Sequence, residues 1–249
     1  MDQQQIWDEY AAQQYDTPGV GMFAAEVLQP TVDVLTDLAA GGPAVEFAIG
    51  TGRVAIPLLD AGVPVSGIEL SHAMIDRLRE KVGPDRIPVV QGDMTDVTAG
   101  QGFSLAILVF NTIANLLTQD QQVRCFENAA RHLAPGGSFV VELWVPQLRA
   151  LPPGYGATVE VSDPGYLLVD TYDVLQQHVV SHHVTFDPAL TGGREASIGR
   201  TPHRYIWPSE LDLMARLAGF TLESRWADWD RSAFTAESRS HVSVYRLNS

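Results

Sequence analysis

The sequence predicts an α/β fold built on a parallel, doubly wound sheet. Three observations carry this. Short apolar stretches alternate with helical ones from about residue 31 to residue 145. One of them, "FSLAILVF", is a continuous apolar run, as parallel strands buried on both faces show. A glycine turn, "GTG", separates the first apolar stretch from the helix after it, the strand–turn–helix order of such a sheet.

The elements follow in order. Residues 1–25 hold a polar, aromatic segment, "IWDEYAAQQYD", in which Trp7, Tyr10 and Ala11 fall on one helical face. A helix is expected from about Thr31 to Leu38. The first strand is Ala44–Ile49, followed by a helix over Gly52–Asp60 and a second strand over Val63–Glu69. In "ELSHAMIDRLREKVG", Ser71 is the N-cap and Gly83 the stop. A third strand spans Ile87–Gln91 and a fourth Phe103–Phe110. Thr118 and Gln121 have the spacing of a capping box for a helix reaching Leu133. "APGG" is expected to turn the chain into a fifth strand, Ser138–Val145.

The rhythm breaks at Pro146. Residues 146–200 alternate apolar and polar positions between Pro, Gly and Asp turns, which predicts an antiparallel excursion with "DPALTGGRE" as a hairpin loop. Pro208 then opens a helix ended by Gly219. "FTLESRWADW" and "HVSVYRL" close the chain as two strands, expected to form a hairpin at the sheet edge.

Composition narrows the function. The chain has 249 residues, 45% hydrophobic and 18% charged, enough for one large domain or a domain with an insertion. The net charge of −14, a single lysine (Lys81) and no Lys/Arg cluster argue against a nucleic-acid partner. No apolar run approaches the ~20 residues of a membrane span. The first residues lack the basic and apolar regions of a secretory signal, so the expectation is a cytoplasmic protein. Its one cysteine, Cys125, lies at helical spacing among apolar residues and reads as a buried thiol. The seven histidines lack metal-ligand spacing with carboxylates, so no metal is expected.

"GTGRVA" fits the fingerprint G-x-G-x-x-[GA], and Glu69 lies 19 residues beyond Gly50, so a nicotinamide dehydrogenase stands as one reading. Glycines let backbone approach a ligand, and an acid ending the second strand accepts from a ribose diol. Three features go beyond that pattern. Glu46 sits inside the first strand, where a dinucleotide needs no acid and a ligand ammonium would use one. "QGDM" places Asp93 at the end of the third strand, within reach of an adenine amino group, with Met94 against the ring. The chain also closes with an antiparallel pair. Each acid has a plainer reading: Glu46 a satisfied strand-end acid, Glu69 the residue before an N-cap, Asp93 a turn residue.

On "VEFAIGTGR", "GIELSHAMI", "VVQGDMTD", "FSLAILVFNTIANL", "HLAPGGSFVVE" and "WPSELDLMARLAGF", in that order over roughly residues 40–145 and 205–247, the chain resembles the class I S-adenosylmethionine-dependent methyltransferases. The resemblance implies a Rossmann-like seven-stranded sheet whose last strand is antiparallel, between the fifth and sixth. It implies S-adenosylmethionine as cofactor. Glu46, Ala48, Gly50, Gly52 and Arg53 would serve its methionine end, Glu69, Leu70 and Met74 its ribose side, and Asp93 and Met94 its adenine. Phe110 and Asn111 would border it after the fourth strand. The family often has a glycine where Ala48 stands. The N-terminal segment, 1–30, would be a lid, with Tyr15 reaching the methionine carboxylate and Trp7 or Tyr10 facing the acceptor.

Methyl transfer from a sulfonium is an in-line displacement that depends mainly on alignment and exclusion of water. A base is needed only for a hydroxyl or a similarly weak acid. The acceptor is expected to be a small molecule, under an insertion spanning residues 146–206. In "HVVSHHVTF", His178, Val180, His182, Val184 and Phe186 share one strand face, and in "HRYIW" His203, Tyr205 and Trp207 share another. His182, then His178, are the candidate bases, and Asn111 a candidate orienting amide. A monomer or homodimer of one domain is expected. A cofactor-binding protein without catalysis is the alternative.

Overall fold

A computed structural model describes residues 6–7, 9–186 and 196–248. A seven-stranded sheet holds the order β10-β11-β5-β4-β1-β2-β3, and a separate four-stranded sheet the order β6-β7-β8-β9. The expected fold class is the observed one, with an α/β sheet of seven strands, one of them antiparallel, and an antiparallel insertion.

In the large sheet, β1 (Ala44–Phe47), β2 (Val65–Glu69), β3 (Val89–Gln91), β4 (Phe103–Leu108) and β5 (Leu133–Trp144) run parallel. The last strand, β11 (Ser240–Leu247), is antiparallel to both β5 and β10 (Phe220–Trp226). All four side chains of β1 are buried, so the strand reads as apolar except at Glu46. One face of the sheet packs Phe126, Leu211 and Met214 of α5 (Gln119–His132) and α6 (Pro208–Leu217) against Phe139 and Tyr245. The other packs Leu35, Leu58 and Leu78 of α2 (Ala25–Ala39), α3 (Ala55–Asp60) and α4 (His72–Lys81) against Leu105 and Val140.

The Thr118–Gln121 capping box forms as expected, and the Ser71 hydroxyl accepts from the Met74 amide. Other boundaries moved for identifiable reasons. α2 begins at Ala25 and runs through Pro30, which reads as a first helical residue but sits in the second turn. α3 starts at Ala55, because Gly50 and Gly52 hold the chain in a left-handed turn. β4 ends at Leu108, since Phe110 and Asn111 both take positive φ (55° and 64°). "APGG" does not end the strand. β5 follows α5 directly, and the four residues form a bulge at which the pairing with β4 shifts register. "DPALTGGRE" lies outside the described residues.

The small sheet comprises β6 (Ala157–Asp163), β7 (Tyr166–Asp173), β8 (His178–Phe186) and β9 (Ala196–Arg204). It is locked to the large one through a buried cation. The Arg204 guanidinium donates to Glu210 at 2.7 Å, to Gln122 at 2.5 Å and to Gln177 at 3.1 Å. Glu210 also accepts from Gln177 at 2.9 Å and Gln119 at 2.8 Å, so α5, α6 and the loop before β8 meet on one ion pair. β9 ends at Arg204, so Tyr205 and Trp207 do not continue its alternation. Tyr205 is buried, and Trp207 is the N-cap of α6. No helix among the described residues is long and apolar enough to cross a membrane.

Candidate functional site

A cavity of about 500 Å³ opens at the carboxyl ends of β1, β2 and β3, a size that suits a small ligand. Eight of the residues expected around the cofactor line it: Tyr15, Ala48 and Gly50, then Glu69, Leu70 and Met74, then Asp93 and Met94. Five others, Glu46, Gly52, Arg53, Phe110 and Asn111, lie outside its wall.

The loop after β1 explains the division. Ala48, Gly50 and Gly52 all take positive φ, at 51°, 56° and 83°. A Cβ on Gly50 would meet nothing closer than the Ala48 carbonyl oxygen at 4.0 Å, so this glycine leaves open space at the cavity. A Cβ on Gly52 would fall 2.4 Å from a Leu78 methyl, so that glycine serves the packing of α4. Glu69 fixes the loop. One carboxylate oxygen accepts from the Gly50 amide at 2.8 Å, the other from the Ser71 amide at 2.8 Å. The carboxylate has about four lone-pair sites, so these amides do not exhaust it. Burial raises the Glu69 pKa, against the pull of the Ser71, Gly50 and Leu70 amides.

Glu46 lies beneath this floor. Burial pushes its carboxyl up to about 8. The Arg53 guanidinium and the Ala55 amide oppose that rise, and the Glu69 carboxylate adds to it. Its Oε2 is buried and meets no donor among the described residues. That orphaned acceptor is the feature a ligand ammonium group would satisfy. Arg53 itself stacks over the Phe110 ring, 4.9 Å from its centroid, and reaches the Met22 carbonyl at 3.4 Å.

The N-terminal segment covers the cavity through α1 (Glu9–Tyr15) and Trp7. Trp7 and Tyr15 meet edge to face at 5.7 Å, and Tyr15 meets Phe23 at 5.9 Å. Burial raises the Tyr15 hydroxyl pKa; Arg53 opposes this and Glu46, Glu69 and Asp16 reinforce it, so the phenol stays a donor. The segment is tied down at two points. The Ser71 hydroxyl donates to the Trp7 carbonyl at 2.5 Å. Asp16 accepts from Thr51 at 2.6 Å and pairs with Lys81 at 2.5 Å, while Lys81 also donates to the Thr51 carbonyl at 2.8 Å. Tyr10, expected beside Trp7, is 74% exposed and turned away.

At the far end, Asp93 is exposed, and one of its oxygens accepts from the Thr95 amide at 2.8 Å, closing a turn. Ile68 and Gly92 complete the strand-end wall, and beyond them it comes from residues the sequence did not assign to a site, Thr112, Asn115, Leu116, Leu117 and Gln121, in the turn after β4 and the start of α5. They follow Asn111 in "VFNTIANL", and the signal was the loop's position at the strand end, not its residue types.

The expected catalytic groups are placed differently. Asn111 turns its amide oxygen to the Trp144 amide at 2.7 Å, stitching the ends of β4 and β5 together. His178 Nε2 lies 2.9 Å from the Leu117 carbonyl, and His182 Nε2 lies 3.0 Å from the Thr171 hydroxyl. None of the three lines the cavity. A further imidazole, His203, also stands behind this wall without lining the cavity: its Nδ1 lies 3.1 Å from the Asn115 amide oxygen and its ring meets Trp144 at 5.7 Å. Burial holds His203 down to about 4, with His183 adding to the effect, so it is neutral at pH 7. Cys125 is buried, and burial pushes its thiol up, out of reach of nucleophilic chemistry. No group of three or more His, Cys, Asp or Glu among the described residues is placed to hold a metal ion.

Comparison with known proteins adds independent observations. A family model described as a methyltransferase domain matches residues 44–137. The CcbJ methyltransferase of Streptomyces caelestis superposes with a TM-score of 0.78, at 37% identity over 89% of each chain. The cypemycin N-terminal methyltransferase of a Streptomyces species is 25% identical over 98% of both chains. A dTDP-4-amino-2,3,4,6-tetradeoxy-D-glucose N,N-dimethyltransferase of Saccharopolyspora spinosa is 34% identical over 49% of this chain and 48% of its own. None of these relatives is a dehydrogenase.

Proposed function

Because the chain belongs to the class I S-adenosylmethionine-dependent methyltransferases and methylates a small molecule, we propose that its acceptor atom is an amine nitrogen, on an amino sugar or a peptide amino terminus. One observation carries the choice of atom. The acceptor end of the cavity is walled by neutral groups, Thr112, Asn115, Leu116, Leu117 and Gln121, with no His, Lys or Arg among them. An amine that has shed its proton before the methyl step attacks with its own lone pair, whereas a hydroxyl needs a base on the wall itself, against the reacting oxygen. Two relatives named above act at nitrogen by their names.

When bound, S-adenosylmethionine supplies a methyl carbon activated by an adjacent sulfonium. The residues of this chain hold and align. Glu69 offers its remaining acceptor capacity to the ribose hydroxyls. Asp93 offers its second oxygen to the adenine amino group, and Met94 lies against the ring. Glu46 gives its orphaned oxygen to the methionine ammonium, and the Tyr15 hydroxyl donates to the methionine carboxylate. Gly50 leaves room for this end to approach, and Leu70 and Met74 flank the ribose. Trp7 and Tyr15 exclude water from above.

The experiment is a methyl-transfer assay with isotope-labelled donor, offering amino-sugar nucleotides and peptides with free amino termini. Fragment mass spectrometry should place the label on nitrogen. Label confined to oxygen or carbon would overturn the reading.

A further inference from the structure

We propose that Asp170 seats the ammonium group of the acceptor and takes its proton. This rests on the reading above that the acceptor is an amine.

The register of the small sheet decides which face looks at the site. Residues directly paired across antiparallel strands share a face. Tyr172, Val179 and His203 form one such row, and Asp170, Ser181 and Thr201 the next. His203 orients the face, since it touches Asn115 of the cavity wall and stacks on Trp144 at the end of β5. The opposite face sends Arg204 to α5 and α6 and leaves Val159 and Ile198 exposed. Asp170 is therefore one row out from His203 on the same face, outside the residues that line the cavity.

Its surroundings are nearly satisfied without it. The Tyr166 hydroxyl lies 2.7 Å from His183 Nδ1, and Tyr172 is bonded to Thr158. The Ser181 hydroxyl donates to the Asp170 carboxylate, yet Oδ1 is buried and meets no donor. Asp170 makes no ion pair among the described residues. The titratable groups around it are Glu160 from β6, Tyr166 and Tyr172 from its own strand and His183 from β8, with His182 acting on it from the opposite face. A buried carboxylate oxygen without a donor is costly unless a ligand supplies one. An ammonium group does so and brings the compensating charge.

An amine is mostly protonated in water and must be neutral to attack. The proton passes from the acceptor nitrogen to the Asp170 carboxylate, leaving the lone pair on nitrogen. That pair forms the N–CH₃ bond while the pair of the breaking C–S bond passes to sulfur. Burial, with help from Glu160 and against His183 and His182, holds the Asp170 carboxyl above the usual carboxylate range, the direction that suits a base near neutral pH.

The test uses cyclohexylammonium as probe and cyclohexanol as its neutral counterpart, titrated by NMR into the full chain loaded with S-adenosylhomocysteine. Saturable binding of the cation is expected, weakened at least tenfold by Asp170→Asn. Thermal stability, S-adenosylhomocysteine affinity and the response to cyclohexanol should not change. Should that variant not fold, Asp170→Ser reads the same loss. Equal affinity in the variant, or no saturable binding to the wild type, would overturn the proposal. The outcome is separate from the choice of acceptor atom. Asp170-dependent binding with label transferred only to oxygen would keep the ammonium seat and sink the amine reading.

Discussion

Glu69 and Gly50, nineteen residues apart, are joined by a 2.8 Å hydrogen bond from the glycine amide to the carboxylate. The same carboxylate also holds the first turn of α4, through the Ser71 amide. One side chain thus sets the shape of the loop and lines the cavity, and on the proposed reading it also takes the ribose. Glu69→Ala removes both functions, with bonds to a charged acceptor worth about 1.5–3 kcal/mol each. S-adenosylhomocysteine affinity by calorimetry should fall about 100-fold or more, with a lower Tm. Asp93→Ala removes one turn bond at an exposed site and should cost about tenfold at most. Equal, small losses in both variants would show that Glu69 faces no ligand.

On the proposed reading, Glu46 makes cofactor binding a proton-linked event. With its carboxyl held at about 8, the free protein carries it mostly protonated at pH 7. An ammonium placed on its orphaned oxygen favours the charged form and expels that proton. Calorimetry at pH 7 in buffers of different ionisation enthalpy should show close to one proton released, and none in Glu46→Gln. Affinity should tighten as pH rises from about 5 to 8. The free protein behaves oppositely. A carboxyl raised in the folded state stabilises it below the unfolded value of 4.5, and this is lost as pH rises through about 8.

Ala48 pays a backbone penalty that glycine would not. Its φ of 51° lies in the left-handed region, disfavoured by about 1–2 kcal/mol for a residue with a Cβ. Glycine forfeits about 0.5–1 kcal/mol of that gain through the entropy of the unfolded chain. Ala48→Gly should raise stability by about 0.5–1 kcal/mol, read as a higher Tm with cofactor affinity kept. A lower Tm would mean that the methyl's packing outweighs its strain.

The ion pair between Arg204 and Glu210 fastens the small sheet. Both side chains are largely buried, so Arg204→Ala leaves a carboxylate without its partner, at about 3–5 kcal/mol. Burial raises the Glu210 pKa, but bonds from Arg204, Gln177 and Gln119 outweigh it and hold the carboxyl below its usual value. Its contribution is therefore present above the unfolded value of 4.5 and lost as pH falls through the lower folded one. Acid titration of Tm should show a drop there that Glu210→Gln removes.

The histidines expected as bases should prove dispensable. His182→Ala should leave kcat and KM within about twofold, because the ring meets Thr171 outside the cavity. His178→Ala frees the Leu117 carbonyl and should move KM before kcat. A loss of kcat in His182→Ala that tracks imidazole titration would return that residue to the mechanism.

The parallel strands were legible in the sequence because burial on both faces leaves unbroken apolar runs, and Glu46 stood out against one. Glu69 and Asp93 were legible because strand ends in such a sheet meet a ligand. Strand faces were harder. β8 carries His182 and His183 side by side, and alternation sends them to opposite faces without saying which face looks inward. That choice is made by long-range packing, the seating of His203 on Trp144 and Asn115 and of Arg204 on α6. Asp170 was invisible for the same reason. It sits in an ordinary alternating strand, and only the missing donor at Oδ1 marks it.

Trp144 and His203, whose rings touch, stand where the chain leaves the large sheet and where it returns. The chain leaves the large sheet and returns to it at this one place, whereas the cavity wall is gathered from segments spread over residues 7 to 121. On the proposed reading, the two halves of the reaction can therefore change separately. A single recombination event with its ends at this place can carry in a new acceptor sheet whole, while a change of methyl donor needs coordinated change at many separate places. On that reading the small sheet is a cassette, and exchanging it between relatives should change the acceptor range while the methyl-donor site stays unaltered.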